Sequence, residues 1–79
     1  MEVYKVTLNL KQVLDQHGFS AYALWRASGL PRNTVYSLTQ GKAQRLDLNT
    51  LASVIYGLEE LTGKHFTPND LLEVQRNAP

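Results

Sequence analysis

SAYALWRASGLPRNTVYSLTQG, residues 20–41, reads as two short helices joined by a tight turn, the second opening with Arg32-Asn33-Thr34 and closing against Gly41. Leu24 and Ala27 sit three apart in the first segment, and Gly29 follows where that helix has to stop. Glycine tolerates the left-handed backbone such a stop uses, and Leu30-Pro31 restarts the chain. In the second segment Val35 and Leu38 face inward, which leaves Arg32, Asn33, Tyr36 and Ser37 together on the outer face.

Working outward from this pair, Tyr4, Val6 and Leu8 alternate with Lys5, Thr7 and Asn9, which predicts a short strand over 3–8. A lone strand is not stable. Lys64-His65-Phe66-Thr67 is the other plausible strand, so the two pair within the chain or the first pairs across a dimer. Leu10, Val13, Leu14 and His17 follow helical spacing up to Gly18, and Ser20 caps the next helix. Beyond a loop over 39–46, Asp47 caps a fourth helix whose expected core stripe is Leu48, Leu51, Ala52, Ile55 and Leu58, ended by Gly63. Thr67-Pro68-Asn69-Asp70 opens a fifth helix that would bury Leu71, Leu72 and Val74, with 75–79 as a frayed tail. The expected architecture is therefore all-α, five short helices with a possible minor two-stranded β element from the N-terminal segment. It forms one domain over 1–79, with Leu24, Val35, Leu51 and Ile55 meeting in its core.

Composition narrows the classes. At 79 residues and 43% hydrophobic content the chain can bury one small core. It has no cysteine, which excludes disulfides and thiolate zinc sites, and two histidines alone make a poor metal site, so neither metal nor cofactor is expected. No stretch is long and apolar enough to span a membrane, and the opening Met-Glu-Val-Tyr-Lys is unlike a signal peptide, so a cytoplasmic location is the default. The net charge of +1 conceals a polarity: residues 20–50 carry Arg26, Arg32, Lys42 and Arg45 against Asp47, while the remainder carries four cations against six acids. The basic charge gathers on the paired helices, which suits docking one face on phosphate.

Two helices at this spacing are how a helix-turn-helix presents a recognition helix, here 32–39, to the major groove of DNA. The chain resembles the lambda-repressor and Cro type of helix-turn-helix, the Xre family, over about residues 8–74. Ser20, Leu24, Gly29, Leu30, Arg32, Thr34, Val35, Leu38, Gly41 and Lys42 fall on that family's pattern in order. So do Leu48, Leu51, Ala52, Ile55 and Leu58, and then Asp70-Leu71-Leu72. Two positions depart from it. Trp25 stands where the family has a small residue, since the two helices cross closely there. Pro31 stands where a Ser or Thr caps the recognition helix; proline suits the first helical position but has no side-chain oxygen, leaving the first amides available to a phosphate.

The resemblance places Arg32, Asn33 and Ser37 at positions that read bases. The chemistry agrees: Arg pairs with guanine and Asn with adenine through two hydrogen bonds each. Thr34, Tyr36, Lys42 and Arg45 suit phosphate contacts, although Tyr36 could equally cover a thymine methyl or pack on Trp25. No catalytic constellation is evident: Asp15 and His17 diverge on a helix, and no serine or glycine-rich loop has a catalytic context, so an enzyme is not expected. The expectation is a small transcriptional regulator of the repressor kind, binding double-stranded DNA as a homodimer. The alternative is a protein-interaction module on the same fold, an antitoxin or adaptor subunit, with Tyr22, Trp25, Tyr36 and Tyr56 as its sticky surface.

Overall fold

A computed structural model describes residues 4–42 and 45–76. Its elements are β1 (Tyr4–Leu8), α1 (Leu10–His17), α2 (Ala21–Ser28), α3 (Arg32–Thr39), α4 (Leu48–Thr62), α5 (Pro68–Leu71) and β2 (Leu72–Arg76). The chain is mostly helical, with a two-stranded antiparallel sheet of β1 and β2. Val3, residues 43–44 of the loop and residues 77–79 of the expected tail lie outside the described residues.

Local chemistry sets the helix ends. The Ser20 hydroxyl accepts from the Ala23 amide at 3.2 Å, and the Asp47 carboxylate accepts from the Asn49 amide at 3.2 Å, so each offsets an amide that the first helical turn leaves without a carbonyl. Asp70 reaches back to the Thr67 amide at 2.8 Å to start α5. Gly29, with φ +76°, takes the left-handed conformation that lets α2 end and α3 begin two residues later. The buried core joins Leu10, Val13 and Leu14 of α1, Leu24 of α2, Val35 and Leu38 of α3, Leu51, Val54 and Leu58 of α4, and Leu71 of α5.

Three expectations are corrected. The second strand is not 64–67, which is a loop, but Leu72–Arg76, and α5 is correspondingly only four residues long. Buried Leu71 ends the helix, and its carbonyl accepts from the Asn9 amide at 2.7 Å. This bond starts the ladder in which Leu8 pairs with Leu72, Val6 with Val74 and Tyr4 with Arg76. Val74 and Leu72 are therefore strand residues, and Gln75 and Arg76 are paired rather than frayed. Residues 64–67 have no room to pair: Thr67 is already the cap of α5, and the Phe66 amide is taken by Glu59 at 3.0 Å.

The third correction concerns the face of α4. Its buried residues are Leu51, Val54, Gly57 and Leu58, whereas Ile55 is half-buried, Ala52 exposed and Leu48 80% exposed. The helix is turned by nearly one residue step, roughly 100° at 3.6 residues per turn, from the stripe its large apolar residues suggest. Gly57 is the cause. A Cβ built on it would lie 2.9 Å from Leu24 Cδ1, 2.9 Å from Ser28 Cβ and 3.1 Å from Ser28 Cα, so α2 crosses α4 directly over the glycine. Leu24, Val35 and Leu51 do share the core as expected, with Val54 in the place assigned to Ile55.

Candidate nucleic-acid interface

The outer face of α3 is built from its inner one. Val35 and Leu38 are buried against the core, and the steps of the helix then put Asn33 and Ser37 at the middle of the opposite side, one turn apart. Asn33 is exposed and Ser37 half-buried. Arg32 and Tyr36 form the flank facing α2. Thr34 lies on the other flank and, with Asn33 and Ser37, borders an open recess closed by Arg45, Asp47 and Thr50 from the approach to α4. The base-reading candidates Asn33 and Ser37 and the phosphate candidates Thr34 and Arg45 thus share one concave surface.

The ends of α3 are defined by backbone geometry. Pro31 is not the first helical residue but the capping one, with ψ 145°, and it supplies no side-chain hydrogen bond; its carbonyl accepts from the Val35 amide at 3.2 Å. At the other end the amides of Gln40 and Lys42 donate to the carbonyls of Tyr36 and Ser37 at 3.0 and 3.1 Å. Lys42 is thereby held at the end of the recognition helix with its side chain exposed, and Arg45 is exposed beyond it.

Arg32, in the first turn of α3, is exposed and lies beside two aromatic rings. Its guanidinium carbon lies 5.8 Å from the Trp25 ring centre and 5.4 Å from that of Tyr36, within the range of cation–π attraction. Trp25 also has the Arg26 guanidinium at 5.7 Å and meets Tyr22 edge-on at 5.4 Å. The contact anticipated between Tyr36 and Trp25 is made through Arg32, which both rings approach. Tyr22, Trp25 and Arg26 therefore join the surface next to α3; the sequence had Tyr22, Trp25 and Tyr36 together only as a protein-binding surface and Arg26 only as part of the basic charge. The available signal was spacing: residues 22, 25 and 26 share one face of a helix, as do 32 and 36.

The remaining polar groups pair locally. Asp15 bonds Lys11 at 3.0 Å, and the His17 ring nitrogen Nδ1 lies 2.9 Å from the Val13 carbonyl, so these two side chains do not converge on a common point. His65 is an exposed loop residue rather than a strand one, 3.5 Å from Glu59. Among the described residues no cluster of His, Asp and Glu is arranged to hold a metal, and no helix is long and apolar enough to cross a membrane.

Two short helices joined through Gly29, the second with a buried apolar side and an exposed polar side flanked by cations, define a helix-turn-helix DNA-binding module. A family model for the Cro/C1-type HTH DNA-binding domain matches residues 9–55, more than half of the chain, and the protein belongs to that family. The match includes α1, α2, α3 and the first part of α4; Gly57, α5 and the sheet lie outside it. No curated protein and no solved structure matches the chain significantly.

Proposed function

We propose that the protein binds double-stranded DNA sequence-specifically as a small transcriptional regulator, with α3 in the major groove. Arg32, Asn33 and Ser37 read base edges, while Thr34, Tyr36, Lys42 and Arg45 bind phosphates and set register. One observation carries the reading: α3 buries Val35 and Leu38 completely enough to be rigid, yet presents Asn33 and Ser37 outward with Arg32 on one flank and Arg45 on the other. Bidentate pairing suits Arg32 to guanine and Asn33 to adenine, and a serine hydroxyl can serve either.

A homodimer is part of this reading, because one recognition helix covers few base pairs and paired half-sites multiply specificity. The β1–β2 sheet favours it. Tyr4, Val6, Leu8, Leu72 and Val74 share one face; among the described residues its inner end is covered, with Leu8 packed on the core, while Tyr4, Val6 and Val74 are 58%, 61% and 47% exposed, Tyr4 with the Arg76 guanidinium 5.6 Å from its ring centre. A second copy offering the same apolar face would cover them about a two-fold axis.

Selection of bound fragments from a random duplex pool, followed by salt-dependent gel shifts and light scattering, tests the proposal. It expects one enriched pseudo-palindrome, affinity falling steeply with salt, and a dimer on the operator that Val6→Lys weakens. No enrichment and no shift, together with a stoichiometric protein partner, would favour the antitoxin or adaptor alternative, for which the exposed Tyr22 and Tyr56 supply surface.

A further inference from the structure

We infer that Trp25 is a specificity-determining positioning residue: with Tyr36 it clamps the Arg32 guanidinium so that one fixed edge of its N–H donors is offered to the DNA. This rests on the proposed role of Arg32 as a base reader and adds a residue of α2 to the reading of sequence.

The Arg32 guanidinium carries its donors at its edge. It is planar, and its five N–H donors radiate in the plane while its two faces carry none. A ring that attracts the cation offers no conventional acceptor, so the N–H donors stay available to a stronger one. Arg32 has two such rings, Trp25 at 5.8 Å and Tyr36 at 5.4 Å, and among the described residues it takes part in no ion pair that would turn its edge away. Tyr36 lies one turn further along α3, so it supports the arginine stem from the same helix. Trp25 comes from α2 and is itself braced, half-buried against the core and met edge-on by Tyr22. The clamp thus ties Arg32 to the body of the domain as well as to its own helix.

A free arginine gives up much rotamer freedom when it forms a base contact, and a pre-oriented one gives up less. The gain falls only on partners that match the fixed edge. A guanine presenting O6 and N7 to that edge benefits, whereas a phosphate, which accepts from many directions, benefits little. Arg26 shares the Trp25 ring at 5.7 Å and adds positive potential beside the clamp, so removing the ring would loosen Arg32 without removing charge from the face.

The test uses the full chain, the duplex selected above and each of its single-base-pair variants. Arg32→Ala should flatten the preference at one base pair. Trp25→Leu should flatten the same base pair by about tenfold and leave the others within about twofold. The double variant should be no worse than Arg32→Ala alone, and Trp25→Phe should restore most of the preference. In the DNA-free protein, NMR should show the Arg32 side-chain protons displaced by the ring currents, and Trp25→Leu should reduce the displacement. Should Trp25→Leu fail to fold, Tyr36→Leu removes the other wall; because Tyr36 also contacts phosphate it lowers affinity on every duplex, so it is read by the ring-current displacement and by the base profile relative to its own affinity for the selected duplex. Uniform weakening on every duplex by the clamp variants, or an unchanged base profile, overturns the positioning role while leaving Arg32 as a reader. If Arg32→Ala itself alters no base preference although the ring-current displacement is present, the assignment of Arg32 falls and this inference with it.

Discussion

Helix α2 meets its two neighbours through opposite kinds of contact. Against α4 it crosses over a glycine: Ser28 and Leu24 come so near to Gly57 that not even a methyl group fits between them, and the seam is buried. Against α3 the surface contact is made by large, polar-tipped side chains, with the Arg32 guanidinium 5.8 Å from the Trp25 ring centre and 5.4 Å from that of Tyr36. The first seam excludes water and holds the fold. The second keeps cations and hydrogen-bond donors at the surface, where DNA can reach them. A small residue is thus needed at the α2–α4 crossing, and a large one is tolerated, and put to use, on the α3 side. Trp25 is accommodated because it lies on the surface side of α2, half-buried and beside Arg32, while the close approach of α2 is to Gly57 on α4.

The contrast can be broken at the inner seam first. Leu24 is fully buried, and Leu24→Ala should cost about 2–5 kcal/mol of unfolding free energy in denaturant titration, the transfer loss and the cavity adding together. A loss below about 1 kcal/mol would show that the seam collapses around the gap and is not tightly packed.

Gly57→Ala sharpens the same point. In an exposed helix this change would stabilise by up to about 1 kcal/mol, but here the methyl group meets the Ser28 backbone and cannot be absorbed by a side-chain rotation. Overpacking should win, with a net cost of about 1–3 kcal/mol and a lowered melting temperature. A raised one would mean the helices part easily.

At the outer seam the effects should move from stability to binding. Arg32→Ala should weaken the selected duplex by about 1–3 kcal/mol in titration while random duplex loses much less, and its thermal melt should change less than that of Leu24→Ala. Lys42→Ala, at the end of α3, should be the smallest change. Binding to all duplexes should fall by a similar factor, and the slope of log affinity against log salt should flatten by about one. Equal weakening of selected and random duplex by both variants would erase the distinction between reading and positioning residues.

Much of this was legible in the chain because the signals are local. Ser20, Asp47 and the Thr67–Asp70 pair act on amides two or three residues away, and Gly29 acts on its own backbone, so α2, α3, α4 and the start of α5 follow from short-range chemistry. The outer face of α3 follows from period alone: once Val35 and Leu38 face inward, Asn33 and Ser37 face outward. The clamp was harder to see, since Trp25 and Arg32 belong to different helices and their meeting depends on the turn between them.

The sequence by itself determined where each helix starts and where α1 to α4 end, the helix-turn-helix at 20–41 and the polarity of charge around it, because each depends on residues within a turn or two of one another. Only the tertiary structure decided which side of α4 is buried and what pairs with β1. Gly57 carries no apolar side chain and gives no hydrophobic signal, yet it leaves the room in which α2 packs on the side of α4 that buries Val54 rather than Ile55. Leu72-Glu73-Val74-Gln75-Arg76 has the alternation of a strand, but it follows a sound helix start. The choice between continuing α5 and extending falls to β1, whose unpaired edge some sixty residues earlier in the chain offers the hydrogen bonds that end the helix at Leu71.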